Sequence, residues 1–391
     1  MNLQAVMADM QKKRDEIASS NWFAVPLCAI LAAGVVCCFY VSENYSGRGE
    51  PFAWFEGISA WPSIAIILFA ALLSIHFAIK TNFDLRKNWF KLTDEFGLEA
   101  AKPEKDKIFD KLDKPPFFGW RLTQTNIKEK IDIVALWQLY LWRGRFWMRA
   151  LRVVPMTVLY MLALYVIRPL LGDLPDPPIR GNFPFLFLIA PTIFVFLILT
   201  FVVIDAILLH EGFLKQLAEN ETDWPKGTFE RYKYPIHLIR AGNKSDLADY
   251  WDILLIAKRT EAVGNQIYYP FVILSLLIVA RLSCFDNWTW PPVLIVTLCM
   301  HFSVALYAAW RLPKVARGYR DTVLERLKRR GRQALMLAGK RPEATDTMIE
   351  EVQSTHQGAF SYLWEQPAIR ALLLPSGGIG LATLLQYLPH N

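Results

Sequence analysis

The sequence predicts an all-α membrane protein with about six transmembrane helices, arranged in three hairpins that have helical cytoplasmic extensions. Hydrophobic residues make up 53% of the 391 residues, and the mean hydropathy is +0.23. Several apolar stretches of about 20 residues carry few charges, which is the length that crosses a bilayer. These features exclude a soluble globular enzyme, a secreted disulfide scaffold and a disordered chain.

The apolar stretches place the six spans, and the basic residues give their orientation. The predicted spans lie at about 22–42, 61–80, 153–171, 183–209, 267–284 and 291–311. With this arrangement, 39 of the 43 Lys and Arg residues fall on one side of the membrane. Because basic loops stay on the cytoplasmic side, the N-terminus is expected in the cytoplasm.

This topology divides the chain into seven sections. They are a cytoplasmic amphipathic N-terminus at 1–21, hairpin 1 at 22–80, a cytoplasmic section at 81–152, hairpin 2 at 153–209, a second cytoplasmic section at 210–266, hairpin 3 at 267–311, and a basic cytoplasmic tail at 312–391.

Three cytoplasmic stretches have the apolar spacing of helices. In 127–142, one face is predicted to hold Ile131, Val134, Ala135, Gln138, Leu139 and Trp142. In 246–260, the apolar side holds Leu247, Tyr250, Trp251, Leu254 and Leu255. In 317–332, a charged helix carries a stripe of Val323, Leu324 and Leu327.

The C-terminal segment 366–388 is apolar enough to cross the membrane, but Pro375 to Gly378 interrupt it. Two short helices on either side of this break would dock on the cytoplasmic sections, re-enter the membrane, or span it once more. We favour docking or re-entry, because irregular backbone in the membrane is tolerated only where protein buries it or where it lines a water-filled cavity.

Ionisable residues inside apolar spans are the candidate functional residues, since burying a charge in lipid is unfavourable. These intramembrane polar candidates are His76, Asp205, Arg281 and His301. Asp205 lies about one turn from the inner end of its span and could pair there with a basic neighbour. Only His301 lies near mid-depth, where a hydrogen-bonded packing role is favoured over a proton relay.

Aromatic and basic residues beside the spans predict contacts with anionic lipid headgroups, because Trp and Arg are typical of that level. The predicted anchors are Arg143, Arg145, Trp147, Arg149, Trp288 and Trp290. The net charge of +7 is interpreted as a signal of topology and lipid attraction. No motif of a nucleic-acid-binding module accompanies it, so nucleic acid is not expected as a partner.

The sequence contains none of the motifs that would indicate an enzyme or a cofactor. GxSxG, GxxxxGK[ST], HExxH and a GxGxxG after a strand are all absent. The five cysteines have neither CxxC nor Cys/His metal spacing. We therefore predict no catalytic residues, no cofactor and no metal.

Two C-terminal stretches resemble segments of uncharacterised bacterial polytopic inner-membrane proteins. One runs from Arg259-Thr260-Glu261 through Tyr268-Tyr269-Pro270 and Arg281 to Trp288-Thr289-Trp290. The other begins at Gly358-Ala359-Phe360 and continues through Gln366-Pro367 and 370–375 to Gly377-Gly378. The resemblance covers roughly the last third of the chain. It implies a bacterial inner membrane and implies no activity.

The function that these patterns favour is a non-enzymatic membrane protein that binds a cytoplasmic or membrane partner, as an anchor, sensor or effector subunit. More than half of the chain is cytoplasmic, and the outer loops are too short to form a binding domain. The alternative is a channel or pore built by a homo-oligomer. A lipid-acting enzyme is the third interpretation, and it lacks a paired acid and base.

Overall fold

The computed structural model describes residues 60–98, 130–171, 190–225, 227–228, 244–280, 292–338, 343–362 and 365. Helices form most of these residues. In chain order the elements are α1 (Ala60–Glu95), β1 (Lys130–Asp132), α2 (Ile133–Arg143), α3 (Phe146–Leu171), α4 (Ala190–Glu219), β2 (Glu221–Asp223), α5 (Lys244–Gly264), α6 (Tyr268–Val279), α7 (Pro292–Ala338) and α8 (Glu343–Ser354). Two 3₁₀ turns, Asn265–Ile267 and Gly358–Phe360, complete them.

Among the described residues, four helical segments are long and apolar enough to cross a membrane: Ala65–Glu95, Phe146–Val166, Pro191–Glu219 and Lys244–Val279. They overlap the second to fifth predicted spans, and the helical membrane-type fold is confirmed to that extent. The first predicted span lies outside the described residues. The sixth lies within α7, which is not among the four segments, so the six-span hairpin arrangement stays a prediction.

The segment Lys244–Val279 is longer than a bilayer is thick, since 36 helical residues measure about 54 Å. Its first half carries seven charged residues, the last of which is Glu261, and residues 262–279 carry none. Only this second half is suited to hydrocarbon. The charged part, α5, is therefore the part of this segment that is not suited to the membrane interior.

α4 is the central helix of the apolar part. Of its apolar window, 78% is buried inside the protein, whereas only 22% of the corresponding window in α3 is buried. α4 contacts α1, α3, α6 and α7. Because 190–204 contains no charged residue, this helix can be surrounded by protein on most sides without leaving an unpaired charge in the apolar part.

α7 joins the apolar part to the charged part of the described structure, since 47 helical residues measure about 70 Å. One face of its second half is buried at intervals of three or four residues, at Leu312, Ala316, Tyr319, Val323 and Leu327. The predicted charged helix at 317–332 and its apolar stripe are thereby confirmed, with Leu324 only partly buried.

The prediction of one helix over 127–142 is partly wrong. Residues 130–132 form β1, which pairs in parallel with β2 in the register Lys130↔Glu221. Asp132 then begins α2, because its Oδ1 accepts hydrogen bonds from the backbone N–H groups of Val134 (2.9 Å) and Ala135 (3.4 Å).

This helix start also changes which face of α2 is buried. The buried residues are Ile133, Leu136, Trp137, Leu139, Tyr140 and Arg143. Of the residues predicted to share one face of this helix, Leu139 is the one that is buried in α2. α5 matches its prediction better, since Leu247, Tyr250, Trp251 and Leu255 are all buried and Leu254 packs beside them. The C-terminal segment 366–388 lies outside the described residues.

Candidate functional site

The predicted intramembrane residue Asp205 lies in a buried ion-pair cluster between α3 and α4. Its Oδ1 accepts a hydrogen bond from Arg152 Nε at 2.6 Å. Its Oδ2 accepts from Arg149 Nε at 3.1 Å and from Arg152 Nη2 at 3.0 Å. Asp205 is fully buried, and the two arginines are 5% and 3% exposed. The expectation that Asp205 could pair with a basic neighbour is confirmed, since two arginines among the described residues pair with it.

Further hydrogen bonds of the two arginines connect this cluster to neighbouring elements. Arg149 Nη1 donates to the side-chain oxygen of Asn82 on α1 at 2.8 Å. Arg152 Nη2 donates to the backbone carbonyl of Arg143 at the end of α2 at 2.9 Å. The two arginines and Asp205 therefore link α1, α2, α3 and α4.

Arg259 on α5 is a third buried arginine in the same region, 5% exposed. Its Nε donates to the hydroxyl of Tyr140 at 2.9 Å, and its guanidinium lies 5.3 Å from the centre of the Tyr140 ring. Its Nη1 donates to the backbone carbonyl of Leu85 and to the side-chain oxygen of Asn88, both at 2.8 Å. All four contacts are with neutral groups.

His210 on α4 is fully buried, and neither of its ring nitrogens has a hydrogen-bond partner. Its ring lies 5.8 Å from the ring of Tyr140 and 5.9 Å from that of Phe213, centre to centre. Arg259 is close enough to interact electrostatically with both His210 and Arg149. We refer to Arg149, Arg152, Asp205, His210 and Arg259 as the arginine cluster.

The arginine cluster corrects part of the headgroup prediction. Arg143 and Arg149 are 3% and 5% exposed, so their guanidinium groups are enclosed by protein and do not extend outward from the helix bundle. The reason is that Arg149 and Arg152, three residues apart, share the helix face that meets Asp205. Arg145 and Trp147 are exposed, and for these two the headgroup role stays a prediction.

The other intramembrane candidates lie in different surroundings. His301 is buried, and its Nε2 is within 3.0 Å of Thr200 Oγ1. Its ring also lies 4.6 Å from that of Phe196. These contacts are those of the packing role that the sequence favoured. His76 is exposed, and Arg281, Trp288 and Trp290 lie outside the described residues.

A second polar cluster joins α5 to the charged half of α7. Arg330 forms ion pairs with Asp246 at 2.7 Å and with Asp249, and Arg326 lies 3.6 Å from Asp249. Asp252 is fully buried and accepts hydrogen bonds from three neutral donors: Thr222 Oγ1 (2.7 Å), Trp224 Nε1 (3.0 Å) and Tyr319 Oη (2.9 Å). We call Asp246, Asp249, Asp252, Arg326 and Arg330 the aspartate cluster.

Burial determines the ionisation of Asp252. The pKa of Asp252 is raised to about 7. Removal from water is the main cause, and the neighbouring Asp249 acts in the same direction. The hydrogen bonds from Thr222, Tyr319 and Trp224 oppose this rise because they stabilise the carboxylate. Asp252 can therefore gain a proton near neutral pH.

The chain around Gly358 contacts the end of α5. Ala359 N–H donates to Thr260 Oγ1 at 3.0 Å, and Gln357 Nε2 donates to Glu261 Oε2 at 2.9 Å. Gly358 has φ +61°, and a Cβ at this position would lie 2.1 Å from the carbonyl oxygen of Ala257. A glycine is required at this contact, which fixes the chain after α8 against α5.

Sequence reasoning missed Arg259, His210 and Tyr140 as members of one site. They come from three separate cytoplasmic or boundary segments, and no local spacing joins them. For Arg149, Arg152 and Asp205 the sequence did contain a signal. The two arginines share a helix face, and Asp205 is the one acidic residue of the neighbouring predicted span.

Within the described residues, no group of three or more His, Cys, Asp or Glu side chains could hold a metal ion. Comparison with models of protein families, with curated proteins and with solved structures found no match.

Proposed function

We propose that this chain is a non-enzymatic, multi-pass protein of the bacterial inner membrane whose cytoplasmic helical part binds a protein partner. The observation that carries the proposal is the apolar tip of α7. Leu335, Met336 and Leu337 are 47%, 84% and 89% exposed. Three consecutive apolar side chains in water are unfavourable unless another surface covers them.

The position of the tip favours a protein over a lipid surface. Leu335 lies 24 residues beyond Arg311, the last residue of the sixth predicted span, which corresponds to about 36 Å of helix. Pro313 lies inside this helix, and a helix that runs away from the membrane over this length places its tip beyond the bilayer. The exposed Arg329 and Arg332 flank the tip, so a fitting partner has an apolar groove with an acidic rim.

The structure around α7 supports a role as an anchor. The buried stripe and the aspartate cluster attach α7 to α5, and Arg326 Nη2 also donates to the carbonyl of Ala218 at 2.6 Å. A partner bound to the tip would therefore be held at a fixed place relative to the membrane.

The proposed membrane placement has its own support at the inner end of the apolar part of α7. Tyr307 and Trp310 are each 55% exposed. Arg311 lies 5.4 Å from the Tyr307 ring centre, and Lys314 Nζ lies 4.6 Å from that of Trp310. Exposed aromatic and basic pairs are typical of the headgroup level, where they attract anionic lipids.

Capture from membranes tests the partner. Full-length protein purified in mild detergent should recover a stoichiometric partner, or a second copy of itself. The double variant Met336→Glu/Leu337→Glu should lose it, whereas Gln333→Glu, at an exposed position of the same helix end, should retain it. A wild-type protein that is isolated only as a lone monomer would contradict the proposal.

Reporter fusions test the orientation. Reporters inserted near Arg48 and Arg180 are expected to be active on the outer side of the inner membrane, and a reporter at the N-terminus on the cytoplasmic side. A cytoplasmic signal from the Arg48 or Arg180 position would reject this topology.

A further inference from the structure

The arginine cluster holds more positive charge than its described partners balance. Arg149, Arg152 and Arg259 are each at most 5% exposed. Asp205 is the one carboxylate that pairs with any of them among the described residues. A guanidinium group stays charged under ordinary conditions, and a buried charge without a counter-charge is strongly unfavourable. An anion bound beside Arg149 and Arg259 would balance this excess charge.

The cluster also retains hydrogen-bond donors that an anion could use. Within the described part of the chain, Nη2 of Arg149 and Nη2 of Arg259 make no hydrogen bond. The contacts of Arg259 are a phenol, a backbone carbonyl and an amide oxygen, which satisfy donors without adding negative charge. Two guanidinium groups that interact electrostatically therefore each have an unused amino group.

His210 provides a second, independent observation. It is fully buried beside Arg259, and both of its ring nitrogens are unpartnered. A buried imidazole normally has at least one hydrogen-bond partner. A ligand with several oxygen atoms would supply one here.

The cluster lies at the boundary between the charged and the apolar parts of the described helices. Arg149 lies half a turn from the exposed Trp147, at the start of the apolar part of α3. Arg259 lies three residues before the uncharged stretch 262–279. The cluster is therefore at the level of the lipid phosphates on the inner side.

We infer that the arginine cluster binds a tetrahedral oxyanion of the phosphate class, either free phosphate or the phosphate of an anionic lipid headgroup. Forked guanidinium donors match the paired oxygens of phosphate, which a spherical halide lacks. Arg259 and Arg149 would contact the oxyanion directly, and Asp205 would hold Arg149 and Arg152 in position. This site is independent of the proposed partner surface at the α7 tip.

Thermal unfolding of the full-length protein in non-ionic detergent tests the free anion. Sodium phosphate should raise Tm by several degrees over sodium chloride at equal ionic strength and pH, because a ligand that binds the folded state stabilises it. Arg259→Gln should abolish the difference. Arg145→Gln removes an exposed arginine nearby and should keep it.

A second test adds a negative charge to the cluster in place of removing a positive one. His210→Glu should raise Tm in the absence of phosphate and remove the response to phosphate, because the carboxylate occupies the place of the ligand. His210→Gln places a neutral side chain at the same position and should not raise Tm in the absence of phosphate. This pair decides the question if Arg259→Gln fails to fold.

Reconstitution distinguishes the two sources of phosphate. Wild-type protein in nanodiscs of phosphatidylcholine alone is compared with protein in nanodiscs that also contain phosphatidylglycerol, and retained lipid is measured by native mass spectrometry. Retention of phosphatidylglycerol that Arg259→Gln loses assigns a lipid ligand, while a response to free phosphate alone assigns a cytoplasmic anion. Absence of both responses in the wild type, or equal responses in Arg259→Gln, would overturn the inference.

Discussion

The arginine cluster and the aspartate cluster are both buried. The arginine cluster has an excess of positive charge and the aspartate cluster an excess of negative charge, but only the aspartate cluster can be neutralised without a ligand. In the aspartate cluster, three carboxylates meet two arginines, and the pKa of Asp252 is raised to about 7 by burial. A proton from water can therefore neutralise it. In the arginine cluster, the excess lies on guanidinium groups, which do not lose their protons in this way.

This difference separates a structural role from a binding role. Uptake of a proton by Asp252 balances the charge of the aspartate cluster, so this cluster can connect α5 to α7 without any ligand. The arginine cluster needs an anion from outside the cluster, so it is the better candidate for recognition. The four predictions below test this comparison, in order of decreasing expected effect.

The largest effect is expected for Asp205→Asn. It leaves Arg149 and Arg152 buried beside an amide, and loss of one partner of a buried ion pair destabilises by about 3–5 kcal/mol. The measurement is denaturant or thermal unfolding in detergent. Asp321→Asn, at an exposed position on α7, is the control and should change stability little. Equal stability of Asp205→Asn and wild type would show that the cluster contributes nothing to folding.

Gly358→Ala is expected to detach the segment after α8 from α5. The new Cβ would lie 2.1 Å from the carbonyl oxygen of Ala257, and φ +61° is unfavourable for alanine. Overpacking and the backbone conformation together correspond to about 3 kcal/mol. Limited proteolysis should then cut between α8 and residue 362 more rapidly. Gly318→Ala has open space around its Cβ, and faster cleavage in that variant as well would exclude the contact as the cause.

The aspartate cluster should make stability depend on pH. Because the pKa of Asp252 is raised to about 7, the folded state binds its proton more tightly than the unfolded state does. The free energy of unfolding should therefore fall as pH rises from about 4 to about 7, by at most about 1.4 kcal/mol per pH unit.

Unfolding of wild type and Asp252→Asn across this pH range isolates that contribution. The variant should lose part of the decline, since an amide does not titrate. Parallel curves for the two proteins would mean that Asp252 keeps one ionisation state throughout, and the contrast between the two clusters would then be wrong.

The smallest effect is expected where a carboxylate is exposed. Asp132→Ala removes the hydrogen bonds to the N–H groups of Val134 and Ala135 at the start of α2, which should cost about 1 kcal/mol. Asp132→Asn preserves the cap and should cost much less. A loss as large as that of Asp205→Asn would show that burial is not what makes a carboxylate important in this protein.

The sequence was sufficient for features that depend on local periodicity. α5 and the buried stripe of α7 follow from apolar residues at helical spacing, and the second to fifth apolar spans follow from length and hydropathy. The error at β1 is instructive, because Ile131 fits a helical pattern as well as a strand. Pairing of Lys130 with Glu221, 91 residues away, decides in favour of a strand, and no local rule contains that information.

The candidate site was predicted only in part for a similar reason. Asp205 was identified because an acid in an apolar span has to find a partner. Arg149 was assigned to the headgroups, because an arginine beside a tryptophan at a span end normally lies there. The face of α3 that turns inward was decided by packing against α4. The contributions of Arg259 and His210 depend on contacts between distant segments.

The amino-acid sequence by itself determined the secondary structure class, the apolar segments and the sorting of basic residues, since hydropathy and charge act residue by residue. The tertiary structure alone decided which charges are buried together and which side chains remain without partners. The physical reason for this division is that the energy of a buried charge depends on the groups within a few ångströms of it. In this protein those groups come from α1, α2, α3, α4 and α5.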